Sequence, residues 1–516
     1  MNPLPTPGDW KQRVQSELGE GASFEEALLT RTLEGITLEP LYTGSPASPA
    51  GQGAMPRGGG WAIAPRVAHP SPREANGRAL EHLEGGASGI EIDLGSVTLA
   101  DAEDARRLLD GVLLDAIPIA FTSHADALPL AALLRACVEE RGVDLAAVEL
   151  HLGMDPFATL VRDGALPGDM DDARGDLLRL ALEGRGAMTR SRAAVADGST
   201  WHRLGADAAL ELGLATASFV EGLRWLEEGG LDAAAAQEQY VWRVDLDADV
   251  FGGIAKCRAA RALHARVLGA AGAGEVSPLL LHATTSPRVI TAQDAWTNML
   301  RGTLGTFAGA AGGADLITAL PFDAALVGSG EESSPLARRV ARNTQLVLQL
   351  ESRLDHVGDP AGGGFHVESR TDDLARLAWA VLQEIEAAGG MSAAITSGLV
   401  DGLLRASRDR LGAAYADGSR ELVGVTAFPP PDGAEAPRPV PMEGVDEAAA
   451  ARAARIEGRG PMAIGPVDDL EHATRAAAAG ATRAEIGSAL VRGVPMTRAA
   501  MESVSEETLA TTEVTA

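Results

Sequence analysis

Cysteine is nearly absent. Cys137 and Cys257 are the only two in 516 residues, far apart and without metal-ligand spacing, which argues against a disulfide framework and a zinc site. Aromatic residues make up only 4% of the chain, so a core has to be filled mainly by Ala, Leu and Val. No apolar run reaches the roughly 18 residues of a membrane helix, and none follows a basic N-terminal segment. The sequence is therefore expected to be soluble and cytoplasmic. Basic residues are scarce as well, 44 against 72 acidic ones, for a net charge of −28. That field repels nucleic-acid backbones and anionic membranes, which argues against binding either.

What is present is a hydrophobic fraction of 46% and 60 glycines, suited to an α/β protein with tight turns and close helix packing. Short apolar runs alternate with helical patterns: Gly89–Leu94, Ile117–Thr122, Ala147–Leu152, Tyr240–Leu246, Pro278–Ala283 and Asp315–Leu320. Ser191–Ala196 is a weaker candidate strand, and Gly364–Glu368 is a candidate for the last. Strands of this length separated by helices indicate βαβ units, and about eight of them favour closure into a barrel. Helix starts are expected at Asp101, Thr291 and Ser334-Pro335, and a helix end at Gly85-Gly86. The chain divides into an N-terminal arm and linker (1–60), with one amphipathic helix near Trp10 to Leu29, and a barrel (61–425). A Pro-rich connector, a helical extension with patterns at Asp446–Glu457 and Asp468–Arg492, and a loose tail make up 426–516.

Composition and spacing name no reaction, but several blocks carry a resemblance. Arg31-Thr-Leu-Glu-Gly-Ile-Thr-Leu-Glu-Pro-Leu-Tyr-Thr43, Ile254-Ala-Lys-Cys-Arg-Ala-Ala-Arg261, Thr291-Ala-Gln-Asp-Ala-Trp-Thr-Asn298, Ala341-Arg-Asn-Thr-Gln345, Asp359-Pro-Ala-Gly-Gly363 and Glu384-Ile-Glu-Ala-Ala-Gly-Gly-Met391 resemble, in order, motifs of the methylmalonyl-CoA mutase family. Trp296–Arg301, Gly312–Asp315 and Leu320–Leu326 are most similar to the family's small, non-catalytic subunit. The resemblance implies a TIM (β/α)8 barrel with an N-terminal arm and a C-terminal helical extension. It also implies a heterodimer with a catalytic large subunit and an isomerase reaction, methylmalonyl-CoA to succinyl-CoA, in propionate metabolism. The CoA ligand fits this acidic chain only where local arginines offset its charge.

The same comparison marks where this chain departs from the catalytic pattern. Catalytic chains place a Tyr near the reacting centre in a W-x-I-R-Q-Y segment. Trp61, Ile63, Glu74 and Asn76 align with that segment without a gap, and the Tyr position falls on Arg66. The Gln of the HCQTSG segment becomes Thr284 in His282-Ala-Thr-Thr-Ser286, and the Gln of a GTIQND-like strand end is missing from His151–Asp155. His202 in Thr200-Trp-His is either a remnant of the family's catalytic His or a polar residue at a strand end. No D-x-H-x-x-G, the segment whose His ligates cobalt, occurs, so no cobalamin-binding flavodoxin-like domain is expected. These departures imply no catalytic, cofactor-binding or metal residues in this chain, with adenosylcobalamin bound by the partner.

The alternative is a catalytic acyl-CoA mutase barrel served by a separate cobalamin-binding chain. Arg66 would then face the reacting centre; in a silent barrel it pairs with a nearby carboxylate and helps fill a closed bore. The stripe Arg338, Arg339 and Arg342 reads as a solvated or interface face rather than a CoA-phosphate site. Trp225, Trp296 and Trp379 read as packing anchors, and His82, His124 and His264 have no ligand-like neighbours in sequence.

Overall fold

A computed structural model describes residues 6–18, 22–44, 60–122, 126–274, 277–431 and 433–490. Its centre is a parallel sheet of nine hydrogen-bonded segments. The first two, Ala62–Ile63 and Arg66–Val67, are one strand interrupted at Ala64-Pro65. The first segment pairs with the last strand of the sheet and the second with the next strand in sequence. Backbone bonds bridge the interruption on both sides: Ala64 N–H donates to Ile317 O, and Glu91 N–H to Pro65 O. The sheet therefore closes on itself as an eight-stranded barrel, nine segments less one interruption.

The barrel strands are β1 (the two segments just given), β2 (Ile90–Ile92), β3 (Pro118–Phe121), β4 (Glu149–Met154), β5 (Arg192–Asp197), β6 (Tyr240–Leu246), β7 (Leu281–Thr285) and β8 (Leu316–Thr318). Each is followed by a principal helix: α1 (Pro72–Glu84), α2 (Ala102–Leu109), α3 (Ala127–Glu140), α4 (Met170–Gly186), α5 (Ala208–Glu228), α6 (Val250–Ala270), α7 (Asn298–Ala311) and α8 (Pro335–Leu346). This is the TIM-barrel fold expected from the sequence. Side chains alternate across each strand. Ile90 and Ile92, Trp242 and Val244, and Ala283 and Ile317 join the large core beneath the helices. Ala64, Val241, Leu280 and Leu316 form a separate small cluster at the N-terminal end of the bore.

Capping follows the sequence at several helices. Asp101 caps α2 and Ser334 caps α8 by accepting backbone N–H groups, with Pro335 in the first turn of α8, and Gly85 ends α1. Elsewhere the structure corrects the reading. Gly364–Glu368 is not a strand; it opens the 23-residue helix α9 (Phe365–Ala387). The missing strand is β1, obscured because Pro65 lacks an N–H and leaves two-residue ladders on either side. Thr291 does not cap α7, which begins seven residues later; its N–H and hydroxyl instead donate to Asn298 Oδ1. The expected single N-terminal helix is two, Pro7–Glu17 and Phe24–Leu28.

After α9 comes α10 (Leu399–Ala416), then the extension α11 (Val445–Arg459), α12 (Leu470–Ala478) and α13 (Arg483–Ala489). The pattern at 468–492 is split by a turn at Gly480, whose φ of +100° favours glycine. The extension docks on α2 and α3. Arg455 pairs with Asp101 and Asp104, and Arg452 with Asp104, all at 2.8 Å. The loose tail from Glu502, as well as His124, lies outside the described residues. No described helix is long and apolar enough to cross a membrane.

Candidate functional site

In a (β/α)8 barrel, chemistry is placed where the strands end, so the bore and its C-terminal mouth come first. The middle layer of the bore holds Arg66 from β1, Glu91 from β2, Arg243 from β6 and His282 from β7. Glu91 is fully buried and receives both arginines. Arg243 Nη2 donates to its Oε1 at 2.6 Å, and Arg66 Nη2 to the same oxygen at 3.1 Å. Burial alone would push the Glu91 carboxyl up. Arg243 and Arg66 overcome that and hold it well below the usual carboxylate range. His282 is pushed down to about 3, chiefly by burial, so it is neutral. Its Nε2 lies 2.8 Å from Thr318 Oγ1, whose hydroxyl donates to Ala64 O. The bore is thus packed by an ion triad and a histidine, and only 20 Å³ of cavity remains between Ala120, His151, Val195, Val241, Arg243 and His282.

Above this layer the mouth opens into a cavity of 730 Å³ with Arg66 and Arg243 at its floor and Arg162, Arg203 and Arg483 in its walls. Carboxylates match these wall cations: Arg162 with Asp163, Arg203 with Asp245, and Arg483 with Asp126. No histidine is among the described residues that line this mouth. Thr284, at the position of the family's Gln, is fully buried, and its Oγ1 has no hydrogen-bond partner.

His202 follows β5 and lies away from this floor. Its Nε2 is 2.7 Å from Ser286 Oγ and its Nδ1 3.1 Å from Glu211 Oε2. Glu211 also accepts from Lys256 Nζ at 2.6 Å and from Asp245 N–H at 3.1 Å. Burial pushes the Glu211 carboxyl up, but Lys256 and His202 outweigh it and keep it below its ordinary value. A hydroxyl, an imidazole and a carboxylate in line have the order of a nucleophile relay. Here Ser286 is 0% exposed, accepts Arg288 N–H, and lines none of the described cavities, so a carbonyl carbon has nowhere to sit. The group ties the ends of β5, β6 and β7 to α5 and α6.

A second buried carboxylate bears on pH dependence. Asp155 caps the helix Pro156–Asp163 and also accepts Asp197 N–H at 3.1 Å. Burial, with the nearby Asp197 carboxylate, pushes its carboxyl up to about 7, against those backbone bonds. Between the unfolded value of 3.8 and about 7 the folded chain holds the extra proton. The contribution of Asp155 to stability is therefore full at low pH and lost as pH rises through that window. Urea unfolding at about pH 5 and pH 8 should show wild type losing stability that Asp155→Asn does not lose, since Asn keeps the cap. Parallel curves for the two chains would assign the carboxyl an ordinary titration.

The remaining sequence candidates are structural. Arg338 and Arg342 are not a solvated stripe. Arg338 pairs with Glu81 at 3.0 Å and Glu332 at 3.4 Å, and Arg342 packs against Glu81 and His82; both are buried. Trp225 is buried, Trp379 stacks under Arg266, and Trp296 is 39% exposed with its indole N–H on Glu435 O. Glu91, Arg243, Glu211 and Lys256 were missed by sequence reasoning. The available signal was a charged residue inside an otherwise apolar strand, as in Gly89–Leu94 and Tyr240–Leu246.

Residues 91–494 match the family model described as methylmalonyl-CoA mutase. The methylmalonyl-CoA mutase small subunit of Streptomyces virginiae is 39% identical, with 79% of this chain and 67% of that protein covered. The small subunit of Propionibacterium freudenreichii subsp. shermanii is 32% identical, covering 83% and 69%. The large subunit of Streptomyces virginiae is 29% identical, covering 81% and 61%. The probable small subunit of Mycobacterium tuberculosis (strain ATCC 25618 / H37Rv) is matched over 65% of its length, so the chain spans about two thirds of these small-subunit relatives.

Proposed function

This chain belongs to the methylmalonyl-CoA mutase family, and we propose that it serves as the small, non-catalytic subunit of a heterodimeric, adenosylcobalamin-dependent enzyme interconverting methylmalonyl-CoA and succinyl-CoA. The observation that carries this reading is the filled bore. Arg66, at the position of the family's catalytic Tyr, is consumed in an ion pair with Glu91, and the 20 Å³ left beside Arg243 and His282 is about the size of one water molecule. A site that must hold reacting groups to within about an ångström cannot form around side chains already committed to one another.

The described residues lining the barrel mouth include arginines, aspartates and threonines but no histidine that could ligate cobalt, a role the family gives to a D-x-H-x-x-G segment outside the barrel. Adenosylcobalamin is accordingly assigned to the partner. In this reading residues 1–60 are an arm toward the partner, 61–425 the barrel and 426–516 a bracing extension. The helix Pro7–Glu17 supports the arm, because none of its residues is buried against the chain.

Co-expression with a catalytic large subunit should yield a one-to-one complex on size exclusion, burying about 2,000 Å² or more. Removal of residues 1–23 should weaken it. Separate elution of the two full-length chains at about micromolar concentration would overturn the partner assignment.

A further inference from the structure

Beside the barrel mouth, off its axis, lies a second cavity of 300 Å³. The hairpin Thr30–Arg31/Thr37–Leu38 covers it, fastened by Ala208 N–H donating to Glu34 Oε1 at 3.1 Å. The first turn of α6 and the residues after α10 form its other walls. Five cations line it: Arg31, Lys256, Arg288, Arg370 and Arg420. Three are matched by carboxylates, Lys256 by Glu211 at 2.6 Å, Arg420 by Asp247 at 2.7 Å, and Arg370 by Asp249.

The other two are not. Arg288 donates through Nη1 to the carbonyls of His202 and Ala206, at 3.2 and 2.9 Å, and has no carboxylate in ion-pair reach among the described residues. The Arg31 side chain makes no hydrogen bond or ion pair among the described residues, while its backbone belongs to the hairpin ladder. Of the cavity's acids, Asp247 and Asp249 are used as above and Asp207 is held by Arg410 at 2.7 Å. Glu34 is the remaining one, and it is not in ion-pair reach of either arginine.

Five cations against the four acids Glu34, Asp207, Asp247 and Asp249 leave the cavity lining a local excess of positive charge, carried by two arginines without a carboxylate. The carbonyls hold Arg288 by one nitrogen and leave the rest of its planar fork for an oxyanion, the geometry in which Arg grips phosphate or carboxylate. Thr30, Thr32 and Ser419 add hydroxyls, and no Phe, Tyr or Trp lines the cavity, whose one ring is the His202 imidazole. Its size is at the lower limit of small-molecule sites, too small for a CoA nucleotide. We infer that this cavity binds a small oxyanion, a phosphate or a short dicarboxylate, held between Arg31 and Arg288. The site is separate from the barrel mouth, and the inference does not rest on the subunit assignment.

Calorimetric titration of the full chain at low ionic strength, with inorganic pyrophosphate in one arm and malonate in the other, tests this. Saturable one-to-one binding of at least one is expected, and the arm that binds says which class the site takes. Arg31→Ala and Arg288→Ala should each weaken it about tenfold or more, while Arg162→Ala at the barrel mouth should leave it unchanged. Absence of saturable binding by both anions at about 10 mM, or affinity untouched by the Arg31 and Arg288 changes, would overturn the inference. If Arg288→Ala does not fold, Arg31→Glu decides, since Arg31 is exposed and its reversal should abolish binding without touching the core.

Discussion

Glu91→Ala is expected to lower the unfolding free energy by about 3–5 kcal/mol, the range for removing one partner of a buried ion pair. The effect comes from what remains rather than from what is lost. Arg66 and Arg243 would both stay in the bore with no anion between them, and Arg66 Nε already lacks a hydrogen-bond partner. Replacing all three by Met, Leu and Met should restore most of the stability, because an apolar filling of similar volume carries no desolvation cost. That pair of results separates unpaired charge from lost packing. The pH dependence has a definite sign. The Glu91 carboxyl is held below its ordinary 4.5, so its contribution is fully present above that value and is lost only as pH falls through the lower folded value. The difference between wild type and Glu91→Ala should stay flat from neutrality down to about pH 5 and shrink only in strong acid. Chemical denaturation across that range measures it, and a cost under about 1 kcal/mol would mean that water reaches the triad and the bore is not closed.

Turnover by the isolated chain should be absent rather than reduced. Given adenosylcobalamin, a separate cobalamin-binding chain and methylmalonyl-CoA, it should form no succinyl-CoA, and equilibrium dialysis should detect no cofactor binding by the chain alone. The complex with the large subunit should be active under the same conditions. Arg66→Tyr should not restore activity in the isolated chain. The substitution leaves Glu91 shared with Arg243 alone, keeps Thr284 where the family has Gln, and inserts a ring into a bore already filled by His282 and Arg243. The expected loss is total because positioned groups act as a unit, and three of the family's, the Tyr and two Gln, are replaced or missing. Measurable mutase activity from the unmodified chain, insensitive to Arg66→Ala, would instead establish the alternative of a working barrel served by a separate cobalamin-binding chain.

The barrel was legible because strands and helices write their periods into adjacent residues. Tyr240–Leu246 is a strand with the bounds read from its apolar run, and Asp101 and Ser334 mark helix starts by side chains that can accept N–H groups within one turn. β1 was not legible. Pro65 interrupts its ladder, and a strand built from two two-residue segments has too little pattern to register. The resemblance likewise located Arg66, Thr284 and His202 as departures from a catalytic pattern, but not what they touch.

What fills the bore was decided only in three dimensions. Glu91 and Arg243 are 152 positions apart, and Arg66 precedes Glu91 by 25. Arg66 and Glu91 face each other on the neighbouring strands β1 and β2, and barrel closure aims β6 across the bore at the same layer. A sequence records which residues alternate along each strand, but the height at which each strand crosses its neighbours is fixed by the register of the whole closed sheet. The same holds for the oxyanion cavity, where Arg31 from an N-terminal hairpin and Arg288 after β7 face one space because the hairpin folds back over it. Composition determined that this chain is acidic and lightly aromatic, and local pattern determined an α/β barrel. Which charges are neutralised and which stand free is a property of distances between strands, and no stretch of sequence contains it.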